Sequence, residues 1–261
     1  MSNSAVLYAK RDHIATVTLN RPEADNIINQ QLAQELVEVC REIREDDSIY
    51  AVVITGAGEK AFCAGGELEQ LIQASGRPAT SDDLSQRYNV AIAIATIDQP
   101  VIAALNGDAL GQGLELALSC DIRLASDKAR FGFPQIAIGL IPMDGGTQRL
   151  PRIVGRGKAL EFIFTGETIS AGEALETGLV SKVVALADLA AEAEALAQSM
   201  ASKAPIALRF IKEAVNKGLD LTLDQGLRLE ADLYFLLHTT ADRTEGIKAF
   251  LEKRSPEFKG Q

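Results

Sequence analysis

The chain has 261 residues, 47% hydrophobic and 24% charged, enough for one large domain or a core with an appendage and too apolar for a disordered chain. Its 36 acidic residues outnumber 26 basic ones, so a phosphate backbone or an anionic membrane is excluded as the main partner, and an anionic ligand needs a local basic patch. Cys40, Cys63 and Cys120 fit neither a disulfide framework nor a C-x-x-C metal site, and MSNSAVLYAKRDH holds no apolar signal core, so a reducing, cytoplasmic compartment and no metal are expected.

Val6 to Lys10 and Ile14 to Leu19 read as a hairpin around Arg11-Asp12-His13. Leu32, Leu36, Val39 and Ile43 then make a helical stripe. AVVIT (Ala51 to Thr55), VIAAL (Val101 to Leu105) and IRLAS (Ile122 to Ser126) are short apolar runs of the kind that buried strands show. Helical stretches alternate with them: Leu84 to Ile97, Gly113 to Cys120, Gly155 to Phe164, and Ala171 to Glu176 closed by Gly178. This alternation gives an α/β architecture with crossover connections. The spacing is irregular and neither G-x-G-x-x-G nor G-x-x-x-x-G-K-[ST] sits at a strand end, so no dinucleotide or P-loop site is predicted. Gly76 to Asp83 is the expected mobile loop. After Val184 the strands stop, and Leu186 to Met200, Ile206 to Lys217, Leu223 to Leu237 and Thr244 to Lys253 are helical by periodicity. The division falls into a core over 1–195 and a helical region over 196–261, whose stripe of Leu223, Leu227, Leu233 and Leu237 needs a partner surface.

Three glycine-bearing loops carry the chemistry: FCAGGEL (Phe62 to Leu68), NGDALGQG (Asn106 to Gly113) and PMDGGTQRL (Pro142 to Leu150). Glycines there let backbone N–H groups approach a ligand. Two of them, from Gly66 and Gln112, could converge on one carbonyl oxygen as an oxyanion hole; the alternative is glycine used for turn geometry alone. By residue type alone, Glu115 reads as an exposed first-turn acid facing the helix dipole and Asp144 as an N-cap. Cys63 and Cys120 read as small buried apolar residues, and His13 and His238 as structural or exposed.

The motifs TLNRPEADNIIN, ITGAGEKAFCAGGEL, PVIAALNGDALGQGLELALSCDIRLAS, FGFPQIAIGLIPMDGGTQRLPRIVG, FTGETISAGEALETGLVSKVV and TTADRTEGIKAFLEKRSPEF, in this order, resemble the enoyl-CoA hydratase/isomerase, or crotonase, family nearly end to end. The resemblance implies a spiral of β-β-α units with a helical C-terminal oligomerisation region, a homotrimer or homohexamer, acyl-CoA substrates, and no cofactor beyond the coenzyme A of the substrate. It implies an oxyanion hole from the N–H groups of Gly66 and Gln112, the latter departing from the usual glycine. It places Lys60 and Lys253 at the CoA phosphates, Lys253 from a neighbouring subunit, with Asn26, Ile27 and Ala64 beside the CoA, and it sets Asp25 where an apolar residue is common. Of the two glutamates that hold water in family hydratases, the first falls at Glu115 and the second at Gln135, an amide that holds water but delivers no proton. Some isomerases of the family have an acid at the Met143 position, one residue from Asp144. The expectation is hydration of an enoyl- or dienoyl-CoA by Glu115, Gln135 and Asp144; double-bond isomerisation and a non-catalytic acyl-CoA-binding subunit are the alternatives, and nucleic acid and membrane partners are not expected.

Overall fold

The expected hairpin forms as β1 (Val6–Arg11) and β2 (Ile14–Leu19) in the computed structural model, which describes residues 4–67 and 90–261. Helix α1 (Gln30–Glu45) is capped by the Asn29 side chain, which accepts from the Leu32 N–H, and it buries Leu32, Leu36, Cys40 and Ile43. Three times the chain then follows one path: a strand in a large sheet, a short strand in a small sheet, and a helix. The first turn is β3 (Ala51–Gly56), β4 (Ala61–Cys63) and α2 (Val90–Ala95). The second is β5 (Val101–Leu105), β6 (Asp108–Leu110) and α3 (Gln112–Ser119). The third is β7 (Ile122–Ser126), β8 (Arg130–Gly132), then α4 (Gly146–Val154) and α5 (Arg156–Thr165). After these come β9 (Thr168–Ser170), α6 (Ala171–Glu176), β10 (Lys182–Val184) and α7 (Leu186–Ala201). The loop expected at Gly76 to Asp83, and the start of the helix expected from Leu84, lie outside the described residues.

The large sheet runs β1-β2-β3-β5-β7-β10, parallel from β2 onward, and the small sheet runs β4-β6-β8-β9. Both faces of the large sheet are covered, which is why its strands read as unbroken apolar runs. Val52, Ile54, Val101, Ala103 and Leu105 face the main core. Ala51, Val53, Ile102, Ala104 and Leu124 pack on Leu189, Ala193 and Ala197 of α7. Helix α7 is therefore part of the sheet-bearing layer, and the division expected at residue 195 falls inside it. The helical region proper begins with α8 (Pro205–Gly218), followed by α9 (Leu223–Leu237) and α10 (Ala241–Glu252). Of the expected apolar stripe, Leu233 is buried, while Leu223 and Leu227 stay exposed.

The turns that pass from one sheet to the other are fixed by two buried asparagines. Asn106 Oδ1 accepts from the Gly56 N–H at 2.9 Å, and its Nδ2 donates to the carbonyls of Gly58 at 2.9 Å and Ala61 at 3.2 Å. Asn26 Nδ2 donates to the carbonyls of Ala57 at 3.0 Å and Ala61 at 2.8 Å, and its Oδ1 accepts from the Arg21 N–H at 2.9 Å. Both side chains replace the backbone partners that a crossing between sheets removes. Asn106→Ala is expected to lower stability by about 2 kcal/mol, the penalty for stranding buried backbone groups. A drop in the urea midpoint at unchanged slope checks this; an unmoved midpoint would show that water reaches these groups.

Candidate active site

The first turn of α3 lies against the end of β4 because Gly113 has no side chain: the Cys63 carbonyl occupies the place of a Cβ. Residues 65 and 66 come beside it, and a Cβ on Gly65 would stand 3.9 Å from the Gln112 backbone nitrogen. Ile28 donates its N–H to the Gly65 carbonyl at 2.8 Å and accepts from the Glu67 N–H at 3.1 Å. In that parallel bridge the N–H of Gly66 itself points to the other side, away from Ile28. The structure thus places Gly66 and Gln112 side by side. Gly111, which precedes α3, has φ 54 and ψ −122, a conformation that needs glycine, and a Cβ there would lie 3.2 Å from the Gln135 side-chain nitrogen.

Glu115 is 2% exposed. It is not the solvated first-turn acid that its position in the helix suggested. Its Oε1 accepts from the backbone N–H groups of Asp144 at 2.6 Å and Gly146 at 2.8 Å, which replace water around the carboxylate. Burial, helped by the charge of neighbouring Asp144 and opposed by the backbone N–H groups of Gly146, Asp144 and Met143, pushes its pKa up to about 7. Asp144 is also buried and caps no helix; Gly145 holds that position. Its Oδ2 accepts from the Ala91 N–H at 3.1 Å and from Gln112 Nε2 at 3.4 Å. Burial raises the Asp144 carboxyl to about 6. Gln135 sits over Gly111 with its Oε1 buried and without a hydrogen-bond partner among the described residues. A buried acceptor left bare in this way calls for a donor from a bound molecule. Two neighbouring carboxyls near neutrality, and an orphaned side-chain carbonyl beside the Gly111 turn, are groups suited to moving a proton beside a polarised carbonyl.

The other expected residues divide. Lys60 Nζ is held by Asp25 Oδ2 at 2.6 Å, so the local positive charge is already matched by an acid. Asn26 is fully buried and spends its side chain on the turn, which leaves it no amide for a ligand. Ile27 and Ala64 are half-buried around the same turn; the Ile27 carbonyl accepts from Arg21 at 2.7 Å and the Ala64 N–H donates to the Asp25 carbonyl at 3.0 Å. Lys253 is exposed at the end of α10, in the left-handed conformation. The three cysteines are buried and unpaired, with thiols pushed up to about 12 by burial, which removes them as nucleophiles. His13 stacks on Tyr50 with ring centroids 4.1 Å apart, a structural role. The residues that sequence reading missed are the ones that act through their backbone: Asp144 and Gly146 toward Glu115, and Ala91 toward Asp144. Only the Gly-Gly of PMDGGTQRL hinted at them. Asp144 stands in the wall of a cavity of about 970 Å³, whose lining mixes Ile92, Leu118 and Met143 with charged residues such as Asp121, Arg123 and Lys212.

A family model described as enoyl-CoA hydratase/isomerase matches residues 9–261. The Bacillus subtilis protein YngF, named at the level of enoyl-CoA hydratase/isomerase, is 45% identical over the full length of both chains. A short-chain-enoyl-CoA hydratase of Clostridium acetobutylicum is 40% identical over 98% of each. Among solved structures, an enoyl-CoA hydratase from Bacillus anthracis superposes with a TM-score of 0.92 at 40% identity, covering 98% of this chain and all of the other.

The buried carboxyl has a stability signature. A Glu whose folded pKa is about 7 against 4.5 unfolded favours the fold below pH 4.5 and loses that contribution as pH rises through 7. Glu115→Gln keeps the acceptor for both N–H groups and removes the charge. It is expected to be more stable than the parent at pH 8, by on the order of 3 kcal/mol, with the advantage vanishing toward pH 4. Thermal melts across that range check the sign; equal melting of the two proteins at pH 8 would mean that Glu115 is solvated.

Proposed function

The chain belongs to the enoyl-CoA hydratase/isomerase family, and on that premise we propose that it adds water to the double bond of an enoyl-CoA thioester at the site around Glu115. The observation that carries this reading is the Glu115 carboxyl itself, buried, near neutral pKa, and held on one oxygen by two backbone N–H groups beside the Gly66–Gln112 pair. Both of these bonds end on Oε1.

The thioester oxygen accepts from the N–H groups of Gly66 and Gln112, each such donor supplying on the order of 3 kcal/mol as negative charge gathers there. Glu115 takes a proton from water while the water oxygen bonds to the β-carbon. The electron pair of the double bond moves to the α-carbon and onto the thioester oxygen as an enolate. The protonated Glu115 then returns its proton to the α-carbon, so the product is substrate plus one water. Gln135 Oε1, the orphaned acceptor, accepts a hydrogen bond from the second O–H of that water, which stays on the β-hydroxyl of the product. Asp144 sets the ionisation of Glu115 through its charge and its backbone N–H. One carboxylate thus does the work of two, which is how a glutamine at 135 is compatible with hydration.

Coenzyme A enters as part of the substrate, with its phosphates toward Lys60 and toward Lys253 of a neighbouring copy, and no further cofactor is needed for these steps. A homotrimer or homohexamer is supported by the apolar side chains that the helical region leaves open, Leu223 at 77%, Phe235 at 71% and Phe250 at 82% exposure. The buried free thiols fit a cytoplasmic setting, and no helix among the described residues is long and apolar enough to cross a membrane.

Double-bond isomerisation is the second reading, favoured by the loss of an acid at Gln135, since a single carboxylate can carry a proton between two carbons. Mass spectrometry of the product decides: hydration adds the mass of a water and isomerisation adds nothing. Glu115→Gln is expected to lose at least about 100-fold in rate, because an amide takes no proton. Parent kcat/KM is expected to fall as pH drops through about 7, where Glu115 becomes protonated and stops serving as base. Near-normal turnover by the variant would overturn the assignment, and tight acyl-CoA binding with no turnover across a panel of enoyl and dienoyl thioesters would make the protein a binding subunit.

A further inference from the structure

We propose that the side chains of Gln112 and Asp144 form a bar across the acyl pocket that restricts this enzyme to short enoyl groups. The inference rests on the hydratase reading for the position of the thioester. Gln112 is 8% exposed, and its amide spans two elements. The Oε1 end lies against Gly66, 2.6 Å from where a Cβ would be. The Nε2 end donates to Asp144 Oδ2 at 3.4 Å. The same Asp144 oxygen accepts from the Ala91 N–H at 3.1 Å, at the start of α2. A bonded path therefore runs from the turn that holds the thioester, through Gln112 and Asp144, to α2.

Asp144 and Gly145 also stand in the wall of a cavity of about 970 Å³. Ile92, Ala95, Leu118 and Met143 give its lining an apolar part that suits methylene groups. The lining also carries Lys212, paired with Asp121 at 2.7 Å, and Arg152, paired with Asp220 at 3.2 Å. An acyl tail that leaves the thioester meets the Gln112 amide before it reaches this space. The amide does not swing aside freely: movement breaks its bond to a buried carboxyl, which is also anchored through its own backbone N–H to Glu115. The chain thus holds room for a long tail and keeps it shut from the thioester.

The test uses 2-enoyl-CoA thioesters from four to ten carbons with the full-length parent, Gln112→Gly and Gln112→Ala, together with binding of saturated butyryl- and decanoyl-CoA by calorimetry. Both variants keep the backbone N–H of residue 112. The parent is expected to turn over the ten-carbon substrate with kcat/KM at least about tenfold below the four-carbon one. Removing the amide is expected to raise the ten-to-four ratio at least about tenfold, and to tighten decanoyl-CoA relative to butyryl-CoA by a similar factor, because methylenes then leave water for the cavity. A flat chain-length profile in the parent overturns the bar while leaving hydration intact, and so do unchanged ratios in both variants. If the parent hydrates none of the thioesters, the hydratase reading fails; the binding ratios still decide the bar, a tenfold shift upholding it and no shift overturning it.

Discussion

The site depends on one arrangement: a glutamate carboxyl taken out of water and held on one oxygen by two backbone N–H groups. Without the N–H groups of Asp144 and Gly146, the cost of burying Glu115 would go uncompensated and the carboxyl would stay protonated well above neutrality. With many more donors it would become an ordinary low-pKa carboxylate with little appetite for a proton. Deep burial set against these backbone donors leaves it near 7. The acid comes from α3 and its donors from the start of α4, so two consecutive turns of the spiral must be in register before the group is tuned. Stability and reactivity are set here by the same contact, and they pull in opposite directions.

Contacts of backbone with backbone, rather than matched side chains, give the spiral its precision at this point. The Cys63 carbonyl fills the space over Gly113, and Asn106 and Asn26 bridge turns that belong to different strands. These contacts lie where the chain passes from the large sheet to the small one, so the turns are packed as tightly as the core. The small sheet has three-residue strands throughout, and its role is to carry these turns.

Much of the frame was legible in the sequence, for physical reasons. AVVIT, VIAAL and IRLAS announced β3, β5 and β7 because a strand covered on both faces has no polar side to show. The strands β4, β6, β8 and β9 are too short to establish a period, and β4 and β6 run into loops that read as glycine turns. The packing of α7 on the sheet was not legible, because α7 has the same periodicity as the helices after it. At the site, motif order pointed to Gly66, Gln112, Glu115 and Gln135. Residue type alone misread Glu115 as exposed, since a first-turn acid looks the same in sequence whether water or another loop lies over it. Asp144 was named as a candidate, but the direction of its carboxyl, toward Gln112 and Ala91, had no signature, because its partners are an amide from one loop and a backbone N–H from another element.

The ion pair between Lys60 and Asp25 adds little to folding, as it is largely solvated and its lysine is 80% exposed. Its effect falls on whatever arrives there. A polyanion approaching that corner meets a dipole instead of a bare cation, so long-range attraction is muted and the lysine has to be won from a competitor already in place.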